Sequence, residues 1–332
     1  MKPKGSEGAR VLLIGCGELG SRHLQAIASL PQVTDIDVVD PRPEALALGR
    51  KRLGELAPGN PSTSIRWLSS LAEATPAGAL CIVATQAEGR CELIRQVAQT
   101  LGYTNFLLEK IVAQSLRAIE ELVDFLSTRR CAAWVNCQTR AYPFHQRVKQ
   151  RLEASSPIMM TVTGGNLGLV TNGIHNADLF AFYTGATCIE PAGASIDPVL
   201  HRTKRGQYDL SGTLQGRTED GSRFTLAYAA DHALSEQITI VTRSYRCVVD
   251  HIQRWAVESD AASRWSWRSV PFEDQIMVSQ MTQRFAADIL AQRRCALPTL
   301  EESLVAHRLI LGELQPHFSR LLERDLELVP VT

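Results

Sequence analysis

Two charged residues stand where a buried strand should end: Phe106-Leu107-Leu108 runs straight into Glu109-Lys110. The carboxyl ends of inner parallel strands are where sites form in open α/β sheets. A lysine there can carry a proton, and a neighbouring carboxylate can orient it. The plainer reading is a solvated strand end with an ordinary ion pair, and the two residues alone do not separate the readings. A second constellation lies near the start. Val11-Leu12-Leu13-Ile14 leads into Gly15-Cys16-Gly17-Glu18-Leu19-Gly20, a G-x-G-x-x-G turn, and a helical pattern follows at once. Gly15 permits the turn, Gly17 lets a pyrophosphate approach the backbone, and Gly20 lets the helix pack close on the strand. The helix N-terminus adds free N–H groups and a positive dipole end, so the whole loop is a candidate phosphate cradle. The next apolar strand, Ile36-Asp37-Val38-Val39, ends in Asp40. A carboxylate there accepts the hydroxyls of an adenosine ribose and favours NAD, while Arg42 softens that choice and admits NADP.

The elements that must hold these residues follow from periodicity. Residues 10–137 alternate short apolar runs with helical patterns, which predicts a doubly wound parallel sheet with crossover helices. Strands are expected at 10–14, 35–39, 65–68, 79–84, 106–108 and 132–137. Helices are expected at 18–30, 44–56, 89–101 and 115–129. After residue 138 the texture changes. Tyr142–Leu152 reads as helical, and Leu210–Gly216 with Arg223–Tyr228 flanks a good turn at Glu219-Asp220-Gly221. Gln237–Thr242 and Tyr245–Asp250 form a second such pair, and helices at 274–292 and 300–322 close the chain. The expected fold is α/β: a Rossmann domain at 1–137, then an α+β domain at 138–332 built on a large, mostly antiparallel sheet. The second domain would bind substrate and mediate oligomerisation, and the C-terminal helices are free to pack back on the first domain.

Composition narrows the function classes. The chain has 332 residues, enough for two domains with real cores. Lys+Arg and Asp+Glu are equal at 35 each, so nothing favours nucleic acid. No apolar run approaches the roughly 20 residues of a membrane span, and the first residues lack the apolar core of a secretion signal. The 8 cysteines are scattered without a C-x-x-C pair or a ligand-like cluster, so no metal site is expected. Cys81, Cys91 and Cys247 fall inside predicted elements, as buried thiols in a reducing cytoplasm would.

The order of these features resembles the Gfo/Idh/MocA family of NAD(P)-dependent oxidoreductases. The resemblance rests on G-x-G-x-x-G, the strand-end Asp40, Glu109-Lys110 after the fifth strand, and Gly173-Ile174-His175. It extends to Asn136, Arg140 and Pro143. The family typically shows Glu-Lys-Pro, where this chain has Ile111, and Asp-x-Gly-x-His, where it has Thr171 for the aspartate. Segments 136–143 and 168–185 look most similar to members found beside acidic-sugar and nucleotide-sugar pathways.

The resemblance implies hydride transfer between nicotinamide C4 and a ring carbon of a sugar, nucleotide sugar or polyol. The hydroxyl proton must also move, and a lysine beside a cationic nicotinamide ring in a desolvated cleft has its pKa lowered. Lys110 suits that role, with Glu109 orienting it or the nicotinamide side. His175 can exchange the same proton, since its ordinary pKa is near 6.5. Asp178, three residues on, can share its helix face. Thr85 and Gln86 follow the fourth strand, where the cofactor's ribose and pyrophosphate pass, and Asn136 can approach the carboxamide side. Lys110, Arg140, Tyr142, Asn172 and His175 are the expected substrate contacts. The basic run His201–Arg205 reads as a solvated loop before it reads as an anion site. Trp265 and Trp267 alternate as on a strand and would face an interface or the core. A homodimer or homotetramer is expected by analogy. Two alternatives stay open: a relative that uses NAD to cleave or dehydrate without net redox change, and a dinucleotide-binding sensor or assembly protein without turnover.

Overall fold

The computed structural model describes residues 8–56, 63–152, 157–165, 168–203, 206–272 and 277–332. Lys204 and Arg205 of the basic run and residues 274–276 of the expected helix lie outside the described residues. The chain divides into two compact units. The first comprises residues 1–112, 119–136 and 275–300; the second comprises 113–118, 137–274 and 301–332.

The first unit holds a six-stranded parallel sheet. Its elements are β1 (Ala9–Ile14), α1 (Gly20–Ala28), β2 (Val33–Val39), α2 (Pro43–Gly54), β3 (Ser64–Leu68) and β4 (Leu80–Val83). They continue through α3 (Arg90–Gln96), β5 (Asn105–Leu108), α4 (Leu116–Thr128) and β6 (Ala132–Val135). Strand order is β3-β2-β1-β4-β5-β6, a doubly wound sheet in which the order of addition switches sides between β1 and β4. Val11–Leu13 and Leu80–Val83 are buried. That is the continuous apolar run of a parallel strand covered on both faces, and it explains why these strands are plain in the sequence. The expected helix at 89–101 is α only to Gln96; a π turn over Val97–Leu101 finishes it, and Gly102 ends it in the left-handed region.

The second unit contains α5 (Pro143–Arg151), β7 (Met159–Gly165), α6 (Gly173–Thr184), β8 (Glu190–Ile196), β9 (His201–Arg202) and β10 (Tyr208–Asp209). There follow β11 (Gly212–Arg217), β12 (Arg223–Ala229), β13 (Gln237–Val241), β14 (Tyr245–Asp250), β15 (Trp255–Asp260) and β16 (Arg268–Ser269). The last helices are α7 (Val278–Gln292), which belongs to the first unit, and α8 (Leu300–Leu321). An eight-stranded sheet runs β16-β15-β14-β13-β7-β12-β11-β8. Both expected hairpins form, β11 with β12 and β13 with β14. Only β12 with β7 pairs in parallel, so the sheet is mostly antiparallel. Phe224, Leu226 and Tyr228 point to the buried face, and α6 packs over β12.

Trp265 and Trp267 differ from expectation. Trp265 sits in a turn at φ +65° and not on a strand, and both rings are partly exposed beneath the Arg246 guanidinium, so they are not core. Among the described residues no helix is long and apolar enough to cross a membrane. The Cys91 and Cys247 thiols are pushed up by burial to about 11 and about 12, which leaves them inert.

Candidate functional site

The register of the parallel sheet lines up one row of residues. Ile14 lies opposite Val39 and Val83, Val83 opposite Leu108, and Leu108 opposite Val135. The residues that follow are Asp40, Gly15, Ala84, Glu109 and Asn136. They form one carboxyl edge across five neighbouring strands, a span of roughly 20 Å at ordinary strand spacing. Cofactors dock against such an edge in doubly wound sheets.

The glycines of the loop serve different masters. Gly15 has φ +87°, and a Cβ on it would meet the Ala84 carbonyl at 2.9 Å. A Cβ on Gly20 would lie 1.8 Å from the Gly15 oxygen. The fold itself demands both. A Cβ on Gly17 would find nothing nearer than Arg42 Nη2 at 3.5 Å, so the protein does not require glycine there. That leaves open space beside the backbone at Gly17. No side chain caps the N-terminus of α1 and no acidic residue lies in its first turn, so its N–H groups are not spent on a cap. Glu18 is exposed and tied to Arg52, which also donates to the Glu18 carbonyl at 2.5 Å and fixes the loop on α2. Leu19 is the N-cap residue. Burial pushes the Cys16 thiol up to about 11.

Asp40 is buried and already engaged. Its Oδ2 accepts from Cys16 N–H at 2.8 Å and from Arg42 Nη2 at 3.0 Å. Its Oδ1 accepts from the N–H and Nε of Arg42 at 3.0 and 3.1 Å. Burial alone would raise this carboxyl, but those bonds hold it below the usual range. The arginine expected to soften the cofactor choice thus lies across the acid. Thr85 is half-buried, its hydroxyl on the Gln86 carbonyl at 3.2 Å, and Gln86 is exposed.

At the end of β5, Glu109 is buried and Lys110 is half-buried. Glu109 Oε1 accepts from Asn136 Nδ2 at 2.7 Å and is 2.9 Å from His23 Nε2. A carboxylate only accepts, so Nε2 carries the proton between them. His23 Nδ1 lies 2.8 Å from the Thr282 hydroxyl of α7, which closes the chain of contacts. Asn136 Oδ1 is buried with no hydrogen-bond partner among the described residues. Burial would raise the Glu109 carboxyl, yet the bonds from His23 and Asn136 and the nearby charges hold it down at about 2. The unfolded chain therefore takes up this proton first as acid is added. The resulting stabilisation, on the order of 3 kcal/mol, is whole above about pH 4.5 and lost as pH falls towards 2. Glu109→Gln should lose most of this acid dependence of melting temperature, measured by calorimetry against the parent chain.

In the second unit the expected residues are arranged differently. His175 lies in the first turn of α6, its N–H on the Asn172 carbonyl at 3.0 Å. Asp178 does not turn to it. Both Asp178 oxygens accept from Arg140, Oδ2 from Nε and Oδ1 from Nη2, each at 2.7 Å. Arg140 and Asp178 are both buried, so each of these expected site residues occupies the other. Tyr142 is also buried, its hydroxyl taking a bond from Gln138 at 3.0 Å and its ring packed against His145 and His251. Asn172 Nδ2 is 3.5 Å from the Thr171 hydroxyl. A carboxylate does reach Thr171, but from β10: Asp209 Oδ2 accepts from its hydroxyl at 2.6 Å and its N–H at 3.0 Å. A Cβ on Gly168 would lie 1.8 Å from that oxygen, so Asp209 fits here only against a glycine.

His23, Thr282, Arg90 and Asp209 were not singled out from the sequence. His23 follows Gly20 by three positions, the one local hint; its partners are 86 and 259 residues away. A hollow of about 750 Å³ in the second unit is lined by Thr163, Tyr228, His232, Asp250 and Trp255 among others, and none of the expected site residues lines it. Among the described residues no cluster of three or more His, Cys, Asp or Glu could hold a metal ion.

No family model matches the chain, and no curated protein matches it by sequence. Solved structures match it by fold. The UDP-N-acetylglucosamine 3-dehydrogenase GnnA from Acidithiobacillus ferrooxidans is similar at a TM-score of 0.70 and 18% identity, over 97% of this chain and 98% of that one. A dehydrogenase from Bordetella pertussis, solved with NADH and UDP-GlcNAcA, gives 0.68 and 17%, over 98% and 99%. A 3-ketoreductase from Actinomadura kijaniata, solved with NADP, gives 0.68 and 18%, over 92% and 96%. At these identities the likeness establishes the fold: a Rossmann-like parallel sheet with a separate, large, mostly antiparallel sheet.

Proposed function

We propose that this chain is an NAD(P)-dependent oxidoreductase of the Gfo/Idh/MocA type, acting on a CH–OH group of a sugar, most readily a nucleotide sugar. One observation carries the reading: Asp40, Gly15, Glu109 with Lys110, and Asn136 stand on one row at the carboxyl edge of adjacent strands. The named activities of the structural neighbours support it. The residues fit the cofactor: Gly17 leaves space that the fold does not need, and Asn136 Oδ1 offers a buried acceptor to an amide. When bound, the nicotinamide supplies the acceptor or donor of the hydride.

The chain's own residues do the rest. The Gly15–Gly20 loop would hold the pyrophosphate on the N–H groups that lead into α1. Glu109, kept ionised by His23 and Asn136, fixes the step from which Lys110 projects. Lys110 takes the proton from the substrate hydroxyl during oxidation and returns it during reduction, with His175 as a second carrier. Asn172 would contact the substrate beside it. Arg140, Asp178 and Tyr142 support the second unit from within. The chain would act as a homo-oligomer in the cytoplasm, without nucleic acid or membrane partners.

Because Arg42 lies across Asp40, both cofactors would be accepted. Asp40 would exchange the guanidinium for a ribose 2′-hydroxyl, and Arg42 would hold a 2′-phosphate. In calorimetry, Arg42→Ala should weaken NADPH roughly tenfold or more and NADH little, the scale of one charged hydrogen bond. Asp40→Ala should weaken NADH. Binding of neither cofactor to the parent chain would overturn the reading. NADH appearing with UDP-sugars would establish net oxidation; cleavage without NADH would favour the non-redox alternative.

A further inference from the structure

Among the described residues Arg90 is the largest fully buried side chain, and it has no role in the proposed function. It opens α3, directly after Gly89 in the left-handed region at φ +67°. A cation there sits at the positive end of the helix dipole, and burying a guanidinium costs several kcal/mol unless its hydrogens are used. Those of its two terminal nitrogens are used on main-chain carbonyls. Nη1 donates to the Glu109 oxygen at 2.5 Å, to the Ile111 oxygen, and more distantly to Val112 at 3.5 Å. Nη2 donates to the Thr85 oxygen. Lys110 therefore lies between two carbonyls gripped by one planar fork, and the same fork ties that turn to the end of β4. The chain leaves its ladder here, so these carbonyls need partners. A guanidinium can gather several in a fixed plane, which an ammonium cannot. Position 111 is Ile, so no proline ring stiffens the turn.

We infer that Arg90 is a positioning residue: it fixes the direction in which Lys110 leaves the main chain. The inference rests on the reading of Lys110 as proton carrier. Arg90→Met should lower kcat roughly 100-fold, the scale of a misplaced catalytic group. Arg90→Lys should recover part of it. NADH affinity should stay within about threefold in both, because the Gly15–Gly20 loop keeps its own contacts, and KM for the sugar should move as little.

A second readout needs no turnover. Lys110 is one of six lysines. With 13Cε-labelled lysine and no cofactor, its signal, assigned by its loss in Lys110→Met, should shift in Arg90→Met. If Arg90→Met does not fold, Arg90→Lys carries both measurements. An unmoved signal with unchanged kcat overturns the inference. If Lys110→Met keeps full activity, the proton-carrier reading fails instead, and the signal still decides whether Arg90 holds Lys110.

Discussion

Lys110→Met is expected to lose roughly 10³-fold in turnover while still binding NADH within a few-fold of the parent chain. Methionine keeps an unbranched stem and removes the amine proposed as the main carrier of the hydroxyl proton. Glu109 stays buried on His23 and Asn136, so the floor beneath position 110 is intact. Lys110 is half-buried, and folding should change by less than about 1 kcal/mol. His175→Ala should cost less, roughly 10-fold to 100-fold, because Lys110 still carries the proton. The measurement is the initial rate of NADH formation with the best UDP-sugar, beside calorimetric binding of NADH to each variant. Full activity in Lys110→Met would end the mechanism proposed here. Equal losses in the two variants would make the pair one proton-transfer unit.

The first unit was legible because parallel strands buried on both faces write unbroken apolar runs. All six expected strands form, and the strand-end residues Asp40, Glu109 and Asn136 fall on one edge because the register places them there. The second unit was less legible. Strand β8, Glu190–Ile196, is an edge strand carrying Pro191 and Gly193, residues that read as a loop. In the site, sequence spacing could see neighbours and no further. Asp178 lies three residues from His175, but its partner is Arg140, 38 residues earlier. Arg90 and His23 look like solvated positions on their helices. Their partner is Glu109, just past the end of β5, whose carbonyl and carboxylate they meet across 19 and 86 residues.

Arg140 separates a substrate contact from an internal tie. If it serves the fold, Arg140→Met removes the fork from a fully buried carboxylate, and losing one partner of such a pair costs about 3–5 kcal/mol. Burial already pushes Asp178 up to about 6, with Arg140 opposing and Glu302 adding to the rise. For a carboxyl raised in the folded chain, the unfolded chain releases its proton first as pH rises. Stability is therefore favoured below its ordinary pKa and lost as pH rises through about 6. Without Arg140 the carboxyl rises further, so the loss widens on the alkaline side. Arg140→Met should thus be more destabilised at pH 8 than at pH 5, in denaturant unfolding followed by circular dichroism. Asp178→Asn in the same background should restore part of the stability at pH 8 and little at pH 5, since it removes the stranded charge. A substrate contact predicts the reverse: KM for the sugar rises, unfolding barely moves, and pH has no such effect. The bidentate geometry and the buried carboxyl both point to the tie.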